Sequence, residues 1–197
     1  MKIVFVFLFL TVFIHDGFAQ GKTYTDSINT YRANYIKNHE VVKAADKKYF
    51  RFFPVTTKYL LNARFEKLND TTGFLMKTSG KSGSTYFKYG LLHFTIDQKD
   101  FQLTVYQSKK LMNMDEYRDY LFVPYTDLTS GEKSYGGGKY IDFSSNDIRY
   151  NTLILDFNKA YNPYCAYAGG FNCPVPPREN DLQVAIEAGE MEFGRKH

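Results

Sequence analysis

The spacing of apolar side chains changes character twice along this chain. Over residues 25 to about 45, Ile28, Tyr31, Tyr35 and Val42 recur at intervals of three, four and seven, which places one apolar stripe along an amphipathic helix. Asp26 or Ser27 can cap its start. After Tyr49 the period falls to two. Residues 58–68 alternate Tyr59, Leu61, Ala63 and Phe65 and end at Asn69-Asp70, the pattern of a half-buried strand. FLMKTSGKSGSTYFKYG predicts a hairpin joined across residues 79–83. LLHFTIDQKDFQLTVYQ predicts a second, with Leu92, Phe94 and Ile96 facing Phe101, Leu103 and Val105 across a turn at 97–100. Residues 112–120 are polar and suit a helical turn, and strands are expected near 121–125, at 139–143 and at 151–157, the last the most buried in appearance.

Consecutive hairpins make an antiparallel meander, so the pattern predicts a mainly β fold: a single sandwich or barrel-like domain with one N-terminal α-helix packed on it. Composition agrees. The chain has 197 residues, enough for one domain, and its 17 Tyr and 18 Phe favour pleated, half-buried surfaces. The net charge of +4 is dispersed, with no Arg/Lys stripe to indicate nucleic acid.

The first residues follow another rule. Met1-Lys2 is a short basic start, residues 3–14 are almost wholly apolar, and Gly17 and Ala19 are small residues placed before a cut at Gln20. This is the pattern of a secretory signal peptide over 1–19, with a single β-rich domain over 20–197 and no membrane span after cleavage. The expected location is the periplasm or the extracellular space.

Two phosphate-binding resemblances fail. Gly80-Lys81-Ser82 lacks the required Gly at position 75, where Leu75 stands, and Gly136-Gly137-Gly138 lacks the dinucleotide spacing. The three glycines serve either a tight crossing of backbones or a ligand loop.

The densest chemistry lies in residues 155–189, which hold Cys165, Cys173 and four of the six prolines. The expectation is a strand ending at Asp156, a long built loop, and a closing strand near 182–186. In an exported chain two cysteines eight apart favour a disulfide. A reactive Cys165 is the alternative, with His93 as its one plausible base. A zinc site lacks ligands. Asp156, Asn158, Tyr161 and Asn162 either bond the loop's own backbone or, with Asp127, Tyr135 and Lys139, line a cleft formed by residues 127–140 and 156–180.

These blocks resemble a known family. LFVPYTDLTSGEKSYGGGKYIDF followed by LDFNKAYNPYCAYAGGFNCPVPPRENDLQVAIEAGE is similar to the bacterial family called domain of unknown function 1684. Asp127, Thr129, Ser130 and Gly131 fit its first segment, and Tyr135, Gly136, Gly138 and Tyr140 its second. The run Asp156, Phe157, Asn158, Ala160, Tyr161, Asn162, Pro163, Cys165, Ala166 and Tyr167 fits the third. Cys173, Pro174, Pro176, Pro177, Asn180, Leu182 and Ala188-Gly189-Glu190 complete the pattern, and FRFFPVTTKYLLNARFE fits upstream. The resemblance covers about 25–190. Tyr125, Ser134, Lys139, Lys159 and Tyr164 depart from it, and lysine at 139 removes the bidentate fork of the family's arginine.

The resemblance implies no activity. The residues themselves lead to a binding module for a small or carbohydrate-like ligand, because Tyr, Asn and Asp suit sugar hydroxyls. The alternatives are a hydrolase using Asp127 and Asp156, or Cys165, in the same cleft, and a structural envelope protein. No metal or cofactor is expected, and the sequence does not set the oligomeric state.

Overall fold

The computed structural model describes residues 16–195; residues 1–15 of the expected leader, with 196 and 197, lie outside the described residues. Helix α1 (Asp16–Asn38) is followed by strands β1 (Leu60–Lys67), β2 (Phe74–Met76), β3 (Ser84–Ile96) and β4 (Lys99–Ser108). Then come β5 (Tyr120–Asp127), β6 (Lys139–Ser144), β7 (Thr152–Asp156) and the two-residue β8 (Asp181–Leu182). The sheet runs β6-β5-β4-β3-β1-β7, with β2 beside β3 and β8 beside β5, and it curls into a half-barrel. All of these pairings are antiparallel except β5–β8. The mainly β fold with one N-terminal helix is the one the periodicity predicts.

Alternation explains the core. Leu92, Phe94, Leu103, Val105, Leu121, Val123 and Tyr125 point to one face and are at most 5% exposed. They pack with Phe157, Leu182, Ile186 and Ala188 from the 155–189 segment. The opposite face carries a smaller aromatic cluster of Met76, Tyr86, Tyr106, Phe122 and Tyr140.

Strand β3 serves both faces because its register shifts between Lys88 and Gly90. Tyr86 pairs with Ser108 and Lys88 with Tyr106, whereas Gly90 pairs with Val105 and Leu92 with Leu103. The extra residue, Tyr89, moves the even-numbered positions from the aromatic face to the main core. The expected division into two separate hairpins is therefore corrected: one 13-residue strand supplies an arm of each. The β3–β4 turn is also tighter than 97–100. Ile96 pairs with Lys99, and Asp97 and Gln98 hold positive φ values of 49° and 63°, as a two-residue turn requires.

Three further expectations change. Helix α1 ends at Asn38 rather than near 45, because the His39 Nδ1 accepts the Val42 N–H at 3.1 Å and offers the backbone another partner. Strand β7, the most buried in appearance from its sequence, is a sheet edge, and Ile154 is 62% exposed. The closing strand near 182–186 shrinks to Asp181–Leu182 and runs parallel to β5.

Between β4 and β5 only Tyr106 and Phe122 stand in register. The wholly buried Asn180 fills the gap. Its Oδ1 accepts the Thr104 N–H at 2.7 Å, and its Nδ2 donates to the carbonyls of Thr104 and Pro124 at 2.9 and 2.8 Å. Asn180→Ala orphans three buried backbone groups, and a loss of about 3 kcal/mol in denaturant unfolding is expected. A loss below about 1 kcal/mol would mean that water replaces the amide without difficulty.

Candidate functional site

The aromatic face of the sheet, the C-terminal half of α1 and the loop after Tyr161 border an open cavity of about 700 Å³. That volume suits a small molecule. The sheet contributes Tyr86, Tyr120, Phe122, Tyr140 and Asp142, and the helix contributes Tyr31, Asn34, Tyr35 and Asn38. Tyr161, Tyr164 and the segment from Phe171 to Pro174 form the remaining wall.

Asp142 is the focus of this wall. It stands opposite Phe122 in the β5–β6 register and stays open to solvent on the cavity side. The Tyr120 hydroxyl donates to one carboxylate oxygen at 2.7 Å and the Tyr161 hydroxyl to the other at 2.6 Å. The surrounding protein displaces water and raises the Asp142 pKa, while the two phenol bonds pull it back toward the charged form. His39 also lines the cavity, and burial, with help from Lys47, lowers its pKa to about 4, so its imidazole is neutral at pH 7. Among the described residues neither His39 nor Glu40, which also line the cavity, bonds to Asp142.

Of the candidate site residues named from the sequence, Tyr161 and Cys173 line this cavity, while Asp127, Lys139, Asp156, Asn158 and Asn162 are buried in the scaffold behind it. Asp127 and Lys139 form a fully buried ion pair at 3.2 Å. The Lys139 ammonium also donates to the carbonyls of Ile186 and Ala188, each at 3.2 Å, and lies over the Phe53 and Tyr125 rings. Asp127 Oδ1 accepts the Thr129 N–H at 2.6 Å. Burial lowers the Lys139 pKa, and Asp127 opposes that shift.

Asp156 accepts the Tyr24 hydroxyl at 2.8 Å and the Asn158 N–H at 3.0 Å, fastening α1 to the loop. The Asn158 amide brackets Thr56, accepting its N–H at 3.1 Å and donating to its carbonyl at 2.9 Å. Asn162 donates its side-chain amide to the Met191 carbonyl at 2.8 Å. Tyr135 closes the glycine turn, its carbonyl accepting the Gly138 N–H at 3.0 Å. From the stretches 127–140 and 156–180, Tyr140, Tyr161, Pro163, Tyr164 and residues 171–174 line the cavity. Asp127, Lys139, Asp156, Asn158 and Asn162 are buried and already bonded, so they have no free surface to offer a ligand.

The glycine run resolves as a tight crossing. Gly138 has φ +85°, and a Cβ there would lie 2.5 Å from the Tyr125 carbonyl oxygen and 2.8 Å from Pro176.

Cys165 and Cys173 are joined in a disulfide, which leaves no thiol for nucleophilic chemistry. His93 is bonded instead to Glu66 at 2.9 Å. With Asp127 paired to Lys139 and Asp156 to Tyr24, these residues do not assemble the acid–base pair or the thiol–histidine pair that a hydrolase would need. The disulfide braces the cavity wall, since the Ser79 hydroxyl bonds Cys165 Sγ at 3.0 Å and accepts the Cys173 N–H at 3.0 Å. Cys165→Ala/Cys173→Ala is expected to lose about 2.5 kcal/mol by the chain-entropy argument. Thermal unfolding with and without reductant checks this, because reduction should lower the wild-type midpoint and leave the variant's unchanged.

Two buried groups were not foreseen. Glu190 is fully buried, accepting the Tyr167 hydroxyl at 2.7 Å, the Asn162 N–H at 3.0 Å and the Tyr35 hydroxyl at 3.3 Å. Burial raises its pKa to about 7 despite these donors. Arg32 donates to the carbonyls of Phe53 and Asn158 at 3.0 and 3.4 Å. The signal for Glu190 was its place in the Ala188-Gly189-Glu190 run. For Arg32 the sequence carried none beyond a charge beside the apolar stripe.

Among the described residues no group of three or more His, Cys, Asp or Glu side chains is placed to hold a metal ion, and no helix is long and apolar enough to cross a membrane. Fold and cavity together define a curled antiparallel sheet with its core on one face and a tyrosine-lined hollow of small-molecule size on the other. The chain belongs to the family described as protein of unknown function (DUF1684), whose model matches residues 48–191. It is similar in structure to an uncharacterised protein of Haloarcula marismortui solved by solution NMR, with 25% identity, a TM-score of 0.63, and coverage of 86% of this chain and 96% of that one. No curated protein matches the chain.

Proposed function

We propose that this chain is an exported bacterial binding protein that holds a small polar ligand in the tyrosine-lined cavity. The observation that carries the reading is Asp142, a carboxylate open to a cavity of about 700 Å³ and held at both oxygens by phenols of that same wall. A carboxylate fixed in this way is preorganised for a ligand at no cost in ordering it on binding. Tyr31, Tyr86 and Tyr140 suit a flat or weakly polar ligand surface, and Asn34 and Asn38 supply amides. A carbohydrate-like molecule combines such features. Export is supported by the leader pattern of residues 1–19, and the disulfide accords with an oxidising compartment.

Native mass spectrometry on protein recovered from the exported fraction tests both parts. The expected mass is that of a chain beginning at Gln20, less two hydrogens, with a retained adduct that disappears in Asp142→Asn. A chain that keeps residues 1–19 and carries nothing would overturn the reading.

A further inference from the structure

We infer that the cavity selects a ligand bearing a positively charged amine or quaternary ammonium group, seated among the tyrosine rings with its charge at Asp142. The inference rests on the binding reading above and narrows it to one ligand class.

Charge is the first argument. The chain carries 25 basic against 21 acidic residues, yet among the described residues no lysine or arginine lines the cavity. Its charged side chains are Asp142 and Glu40, and His39 is neutral at pH 7 because burial lowers its pKa to about 4. An anionic ligand would meet no counter-charge there.

Hydrogen-bond direction is the second. Five of the seven phenols that line the cavity are already committed inside the protein, the exceptions being Tyr86 and Tyr164. Tyr120 and Tyr161 donate to Asp142, and Tyr140 donates to the Pro174 carbonyl. Tyr31 donates to the Lys159 carbonyl at 3.2 Å, and the Tyr35 hydroxyl is bound up with Tyr167 and Glu190. What remains for a ligand at these five tyrosines is oxygen lone pairs and the negative faces of rings. That surface accepts hydrogen bonds and attracts cations. An ammonium group, which carries donors or a diffuse positive charge and no acceptor, is its complement.

Among the described residues no lysine or arginine side chain fills the site. Lys159 lies 5.8 Å from the Tyr31 ring centroid but is exposed and does not line the cavity.

The test is an NMR titration of the mature protein with choline, with its uncharged isostere 3,3-dimethylbutan-1-ol, and with glucose. The expected result is saturable shifts at cavity residues with choline, an affinity at least roughly tenfold above that for the isostere, and a comparable loss in Asp142→Asn. Equal affinity for choline and the isostere, or binding of glucose without choline, overturns the cation inference and leaves the binding reading standing. No shift at the cavity with any of the three overturns both. Should Asp142→Asn fail to fold, the comparison of the two isosteres on wild-type protein still decides.

Discussion

Lys139→Met is expected to destabilise the protein by roughly 3–5 kcal/mol, more than any other single change considered. The ammonium and the Asp127 carboxylate are both fully buried, and the ammonium's remaining donors are taken up by the Ile186 and Ala188 carbonyls. Removing the cation strands a buried anion and releases the segment that carries β8. The double variant Asp127→Asn/Lys139→Met removes both charges and is expected to recover roughly 1–3 kcal/mol. Urea unfolding measures both. A loss below about 1 kcal/mol in Lys139→Met would show that the ammonium does not hold this buried site together.

The second large effect is a pair of opposed titrations joined by Tyr167. Glu190 has its ordinary pKa of 4.5 raised to about 7, so the folded chain holds a proton that the unfolded chain has released. That contribution to stability is complete below about 4.5 and is lost as pH climbs through 7. His39 is the reverse case. Its pKa falls from 6.5 to about 4, so its contribution is present above 6.5 and is lost as pH drops through 4. Each is worth about 3 kcal/mol in order of magnitude, and they run against each other between 4.5 and 6.5. Wild-type stability is therefore expected to vary little over that interval. In Glu190→Gln stability should rise with pH across it, and in His39→Phe it should fall. Parallel curves for all three proteins would rule out both assignments. The coupling has a visible route, since the His39 ring meets the Tyr167 ring at 4.6 Å between centroids and the Tyr167 hydroxyl bonds Glu190.

Residues that obey a period were legible in the sequence. Ile28, Tyr31 and Tyr35 marked α1, and the alternation through Leu92–Ile96 and Phe101–Val105 marked the β3–β4 hairpin. Where one residue breaks the period, the reading broke too: Tyr89 concealed the continuity of β3, and the His39 side chain ended the helix before Val42. The 155–189 stretch stood out as built. That its asparagines bond backbone rather than ligand followed only from the structure, because a bracketing amide such as Asn158 or Asn180 finds its partner many residues away. Asp142 was missed for a related reason. In the β6 alternation it occupies an outward position, where a carboxylate ordinarily faces water. Tyr120 and Tyr161, which turn that position into the wall of a cavity, come from distant parts of the chain.

The register shift at Tyr89 has a consequence for how this scaffold diversifies. Upstream of it, Tyr86 faces the hollow; downstream, Leu92 and Phe94 face the main core. The two roles are carried by separate stretches of one strand, with the offset between them absorbed at a single residue. Mutational drift at the hollow is thereby insulated from the packing that keeps the molecule folded. Relatives can inherit the same frame and vary the lining of the hollow by substitution on one side of the sheet, without a compensating change on the other.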